Sequence, residues 1–288
     1  MHLSFPFSVS QVLWTLTFAA QLVLLVVLLG RNRATRFPWF TASIALYAVR
    51  LLTEVLLAGR MAPPILARVF ITMADVAAVV GLLVVLEMAR QAFGGVRRRT
   101  WIIGALAMVV IAGGVLVLWG PWPARKDLVF NSQMAVLRMM QLAAQKGDLL
   151  IDLLTVELGL LVVLFGRHFK AGWRTHTQRI VIGLSTVAAS WLTIAGVWQI
   201  IVSTVHPHSQ AEYERILGLG AKMVNANKVV YIAVLVWWIA CLWMDEPGTV
   251  VAAEVPGPLR IPETEAAEAM LAEENNAPVD HHQTNGGA

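Results

Sequence analysis

Residues 10–30 read SQVLWTLTFAAQLVLLVVLLG, and residues 31–36 read RNRATR. The first stretch carries no charged side chain, and at about 1.5 Å per residue a helix of that length covers the ~30 Å of a bilayer's hydrocarbon. The second sets Arg31, Arg33 and Arg36 directly behind it, where basic side chains mark the cytoplasmic end of a span. The apolar run is too long for a signal-peptide core, no basic residue precedes it, and no small-residue cleavage site follows. It reads as a retained transmembrane helix.

Working outward from it, six more segments are long and apolar enough to span: about 38–58, 64–88, 101–119, 147–166, 180–204 and 223–244. The expected fold is all-α, a polytopic membrane bundle of seven transmembrane helices over residues 1–244. The loops after the first, third and fifth spans hold eleven basic residues and no acidic one, among them Arg97, Arg98, Arg99, Arg167, Lys170 and Arg174. Of the intervening loops, the one after the second span holds Arg60 alone and the two longer ones mix both signs, as in Arg125-Lys126-Asp127. This alternation predicts an outer N-terminus, a cytoplasmic C-terminus and a multi-pass protein of the plasma (bacterial inner) membrane. Trp39, Trp101, Trp119, Trp122 and Trp243 fall at expected helix ends, the headgroup level that tryptophan prefers, whereas Trp191, Trp198 and Trp237 read as interior aromatics.

Composition agrees. The chain is 58% hydrophobic and 14% charged, against about 25% charged in soluble domains. Its basic residues sit in short loops between apolar runs, which excludes nucleic-acid binding and leaves the lipid bilayer as the partner the composition requires. Cys241 is the single cysteine, so neither an intrachain disulfide nor a cysteine zinc cluster can form. Residues 245–288 change character: nine acidic side chains stand against Arg260 alone, amid Pro, Glu, Ala and Asn. They are expected to form a disordered acidic cytoplasmic tail, helical at most over 263–275, through which a membrane or cytoplasmic protein partner would be met. His281-His282 within it read as solvated residues, and His206-Pro207-His208 as an outer-loop turn; no metal site and no cofactor is implied.

Two helices are expected to start outside the hydrocarbon. Residues 133–166 contain no proline and follow Asn131-Ser132, a ready cap, while Ser209-Gln210-Ala211-Glu212 has capping-box spacing. Gly147, Gly218 and Gly220 are the points where these helices would break if their outer parts lay along the surface instead of protruding.

The most informative residues are ionisable ones at membrane depth, where charge is costly and usually paired or functional. Arg50 lies about 18 Å from the inner end of the second span, and Asp75 and Glu157 lie about 15 Å from the outer ends of the third and fifth. Glu54, Asp152 and Lys228 sit nearer the outside, with Arg50 and Glu54 on one helix face. One interpretation is an ion-pair network, Arg50 with Asp75 or Glu157 and Lys228 with Glu54 or Asp152, fixing how helices pack. The other is a polar cavity for a substrate, ion or proton, because the four carboxylates outnumber the two cations. Arg68 and Glu87, at the ends of the third span, read as interfacial. Ala74 with Ala78 and Ser185 with Ala189 provide small residues where helices can approach closely.

No H-E-x-x-H, G-x-S-x-G, P-loop or G-x-G-x-x-G motif is present. Lys228 and Asp75 occupy the helices that hold the retinal lysine and its counter-ion in rhodopsins, but Lys228 is too near the outer surface and Asn225-Ala226-Asn227-Lys228-Val229 does not match the retinal pattern. The basic loop followed by Arg36-Phe37-Pro38-Trp39-Phe40-Thr41 resembles a loose group of uncharacterised bacterial seven-helix membrane proteins. That resemblance covers the first two helices in motif and implies the topology, with no activity attached. Three functions follow, in order of preference: a non-enzymatic sensor or interaction protein; a small-solute or ion/proton-coupled transporter using the mid-membrane carboxylates; and an intramembrane enzyme.

Overall fold

The computed structural model describes residues 8–57, 60–94, 98–119, 133–165, 175–205 and 209–245, all within the compact unit Met1–Glu246. Trp122, the Asn131-Ser132 cap, the His206-Pro207-His208 turn and the acidic tail beyond Asp245 lie outside the described residues. The described residues form seven α-helices and no strand: α1 Val9–Gly30, α2 Pro38–Leu57, α3 Pro63–Ala92, α4 Arg98–Leu118, α5 Gln133–Phe165, α6 His176–Thr204 and α7 Gln210–Trp243. Five of them, α1, α2, α3, α6 and α7, are long and apolar enough to cross a membrane. The apolar run of α4, Ile102–Leu118, is shorter, and Asp148, Asp152 and Glu157 lower the apolarity of α5.

Helices α1, α2, α3, α5, α6 and α7 pack in that order into a closed ring, α7 returning to α1, with α4 against the outside of α5. Hydrogen bonds fix their directions. The Arg31 guanidinium at the end of α1 donates to the Trp243 carbonyl at the end of α7 (2.6 Å) and, with Arg33, forms salt bridges to Asp245. Thr177 at the start of α6 donates to Gln91 at the end of α3 (3.0 Å). The ends of α1, α3 and α7 and the starts of α2 and α6 therefore share one end of the bundle, the end that bears the basic loops. In consequence α3 and α5, neighbours in the ring, run parallel, and α4 is the return stroke between them.

The start of α2 shows how sequence builds this end. Pro38 takes the first helical position, where a missing N–H costs nothing. Phe37 and Phe40 on either side of it are fully buried, and the Phe40 ring meets Trp238 edge-on at 5.1 Å and 87°. The orphan N–H groups of Trp39 and Phe40 donate to the Glu87 carboxylate of α3, at 3.4 and 2.9 Å. Glu87, expected as an interfacial residue, is buried within the protein near the end of α3, where its carboxylate caps a neighbouring helix and complements the helix dipole.

α5 and α7 run unbroken through Gly147, Gly218 and Gly220. Ser209 caps α7 by accepting from the Glu212 N–H. Gly147 instead permits close packing, since a Cβ there would stand 3.1 Å from that of Ala78. Gly159 does the same beneath Ser185, whose hydroxyl donates to the Thr155 carbonyl across the α5–α6 contact (2.8 Å). One expected core aromatic shifts by a residue: Trp237 is 49% exposed, whereas Trp238 is 1% exposed over Gly183. A single step rotates a side chain about 100° around the axis, enough to exchange outside for inside. Aliphatic side chains dominate the exposed surface of α4, as Leu106, Val110 and Leu118 illustrate, while Trp39 and Trp243 are exposed at the ends of α2 and α7.

Candidate functional site

A half-enclosed cavity of about 390 Å³ opens among α2, α3, α5, α6 and α7, in the middle of the ring. Each helix contributes residues three, four or seven apart, the spacing of one helical face. α2 supplies Ser43, Ile44, Tyr47 and Arg50; α3 supplies Ala77, Gly81, Val84 and Val85; and α5 supplies Asp148, Ile151, Asp152 and Thr155. α6 adds Leu184, Val187, Ala188 and Trp191, an apolar wall, and α7 adds Asn227, Tyr231 and Trp238. Neither α1 nor α4 lines it.

The helix directions sort these residues by depth. Near the basic end lie Ile44, Val84, Val85, Leu184 and Trp238, an apolar floor closed by the Phe40–Trp238 contact. Toward the opposite end lie Arg50, Asp148, Asp152, Trp191 and Asn227. Asp148 and Asp152 project from successive turns of α5, and Arg50 on α2 and Asp75 on α3 are both close enough to Asp148 to act on its charge.

Of the six ionisable residues singled out in the sequence, Arg50 and Asp152 line the cavity, and Asp75 stands beside it. Glu54 is exposed one turn beyond Arg50, and Lys228 is half-buried next to Asn227 without reaching the lining. Glu157 lies about 140° around α5 from Asp152, off the cavity, and its shielded Oε2 has no hydrogen-bond partner. None of the six forms a direct salt bridge among the described residues, so the expected pairs of Arg50 with Asp75 or Glu157, and of Lys228 with Glu54 or Asp152, are not made. The α-carbon framework spreads them over different levels and faces, and Arg50 meets carboxylates at longer range instead.

The sequence reading missed Asp148, Tyr47, Tyr231 and Asn227. Asp148 was passed over because it adjoins the expected start of the fifth span at 147. Its i,i+4 relation to Asp152 was the available signal, as was the Ser43/Tyr47/Arg50 spacing on α2.

The polar lining is only partly satisfied. Ser43 and Thr155 donate to carbonyls of their own helices, Phe40 (2.8 Å) and Ile151 (2.6 Å). The Gln21 amide of α1 donates to the Tyr231 hydroxyl oxygen (3.1 Å), leaving the Tyr231 proton for another acceptor. Asn227 Oδ1 and Trp238 Nε1 are shielded yet have no hydrogen-bond partner in the protein. The lining contains no histidine or cysteine, and among the described residues no three His, Cys, Asp or Glu side chains converge to hold a metal ion. The lining thus combines fixed charges with hydrogen-bonding groups around an open space.

No known family matches the chain. Nor does any curated protein or solved structure match it.

Proposed function

We propose that this chain is a seven-span sensor of a bacterial cell membrane, non-enzymatic, whose interior cavity binds a small molecule and whose cytoplasmic tail reports occupancy to a protein partner. The observation that carries the reading is the cavity itself, in which Arg50, Asp148 and Asp152 are held without a direct salt bridge. An ion-pair network serving only to pack helices would close on itself, because charges withdrawn from water repay that cost only through tight mutual pairing. Charges arranged around open space match a binding site, and about 390 Å³ lies within the usual range of 300–1,000 Å³ for ligand pockets.

Seven spans rather than five are supported by what α4 and α5 do with their unfavourable features. The carboxylates Asp148 and Asp152 face the cavity, not lipid. The 17 residues Ile102–Leu118 of α4 are flanked by Trp101 and Trp119 and preceded by Arg98 and Arg99, the anchors of an interfacial start and finish. The basic loops support an outer N-terminus, and with it a cavity whose charged part lies toward the outer face.

Asp152→Asn separates binding from packing. In a ligand site the carboxylate is strained in the empty protein, and its neutralisation is expected to raise Tm in detergent while removing the thermal shift given by a stabilising compound. A fall in Tm, as for a broken ion pair, would overturn the reading. A carrier is the second reading, favoured by the partial enclosure of the cavity; it requires the Phe40–Trp238 floor to open, so uptake of a bound compound into vesicles would select it.

A further inference from the structure

Resting on the preceding reading of the cavity as a binding site, we propose that its ligand is a small organic ammonium ion with an apolar body, the ammonium at Asp148 and Asp152 and the body toward Trp238. Four features converge on this chemistry. First, the two carboxylates outnumber the single guanidinium of Arg50, and Asp75 adds a third negative charge beside them. An uncompensated negative charge away from bulk water calls for a proton or a cation. Second, the described residues provide no three-ligand cluster for a metal ion, whereas carboxylates one helical turn apart, with Cβ atoms about 5–6 Å from each other, can share the N–H groups of one ammonium.

Third, Asn227 supplies at the same level a shielded side-chain oxygen without a partner among the described residues, an acceptor for a further N–H, and Tyr47 and Tyr231 bring aromatic rings, a side-chain type that attracts cations, to the lining. Fourth, the opposite end of the lining is apolar, made by Ile44, Val84, Val85, Leu184 and Trp238. An inorganic cation would gain nothing from that floor, while an apolar tail of the ligand buries against it at about 25 cal/mol per Å². Arg50 offsets one carboxylate and leaves the others for the guest.

The single cysteine makes a direct test possible. In full-length protein carrying Cys241→Ala, the substitution Ala188→Cys places one thiol on the cavity wall, and Asn227→Cys is the second variant should the first fail to fold. Three methanethiosulfonate reagents are compared at equal concentration, with 2-aminoethyl (cationic), methyl (neutral) and 2-sulfonatoethyl (anionic) groups, each rate divided by its rate with a free thiol. The cationic reagent is expected to react at least tenfold faster than the anionic one, and Asp148→Asn with Asp152→Asn to erase that preference. Phenethylamine is expected to slow labelling, with methylammonium and 2-phenylethanol much weaker.

Equal or faster reaction of the anionic reagent would overturn the ammonium assignment while leaving the cavity reading intact. Equal protection by methylammonium would overturn the apolar body, and equal protection by 2-phenylethanol would overturn the role of the charge. Failure of the neutral methyl reagent to react at either position would overturn the cavity reading itself, and the ligand assignment with it.

Discussion

Glu87 concentrates the physics of the bundle in one side chain. A buried carboxylate would be expensive alone, but here it accepts from two backbone N–H groups that proline-started α2 leaves open, so each group satisfies the other. Glu87→Ala removes a cap and uncovers those donors, with an expected loss of about 1–2 kcal/mol. Glu87→Gln keeps an acceptor and is expected to lose less. Thermal unfolding in detergent, followed by near-ultraviolet circular dichroism at Trp238 and its neighbours, ranks the two variants; equal losses would show that the charge does not act as a cap. The same side chain shows why residue roles were less legible than helices. In sequence, Glu87 is a charge near a helix end beside Arg90, the pattern of an interfacial residue. Only the packing of α3 on α2 brings the start of another helix over it.

At the scale of the element, apolar runs and loop charges made the helices legible, because in lipid every backbone polar group must be satisfied within its own segment. Their faces were less legible. The exchange of Trp237 for Trp238 as the buried aromatic, and the turn of Glu157 away from the cavity, both depend on helix rotation, which neighbours decide and composition does not. The glycines show the difference between contact and freedom. Gly147→Leu drives atoms into Ala78 of α3, 3.1 Å from even a Cβ, and is expected to destabilise by about 1–3 kcal/mol and to widen the α3–α5 gap behind Asp148. Gly113→Ala on α4 meets nothing within 4 Å and is expected to gain about 0.5–1 kcal/mol from helix propensity. A denaturation series on the purified variants checks both signs; the reverse order would mean that α3 and α5 do not approach as described.

At the scale of the whole molecule, the alternation of basic and mixed loops predicts sidedness. A periplasm-dependent reporter fused after Arg125 is expected to be active, and one fused after Lys170 silent; the opposite pattern would invert the bundle and turn the charged part of the cavity toward the cytoplasm. A third of the site's charged, tyrosine and asparagine residues was legible beforehand, Arg50 and Asp152 from their depth alone. The remainder, Tyr47, Asp148, Asn227 and Tyr231, became visible once ring order placed α2, α5 and α7 around a common space, since each is individually unremarkable for a membrane helix.

The position of α4 has a consequence for how this sequence can vary. A helix that only carries the chain back from one end of α3 to the far end of α5 must be apolar and long enough, and little else is asked of it. Outside the fully buried Ala112, its positions can drift among Leu, Ile, Val and Ala without touching the lining, whereas the inward faces of α2, α5 and α7 border the cavity directly. Of the seven helices, α4 is the one whose sequence the cavity constrains least.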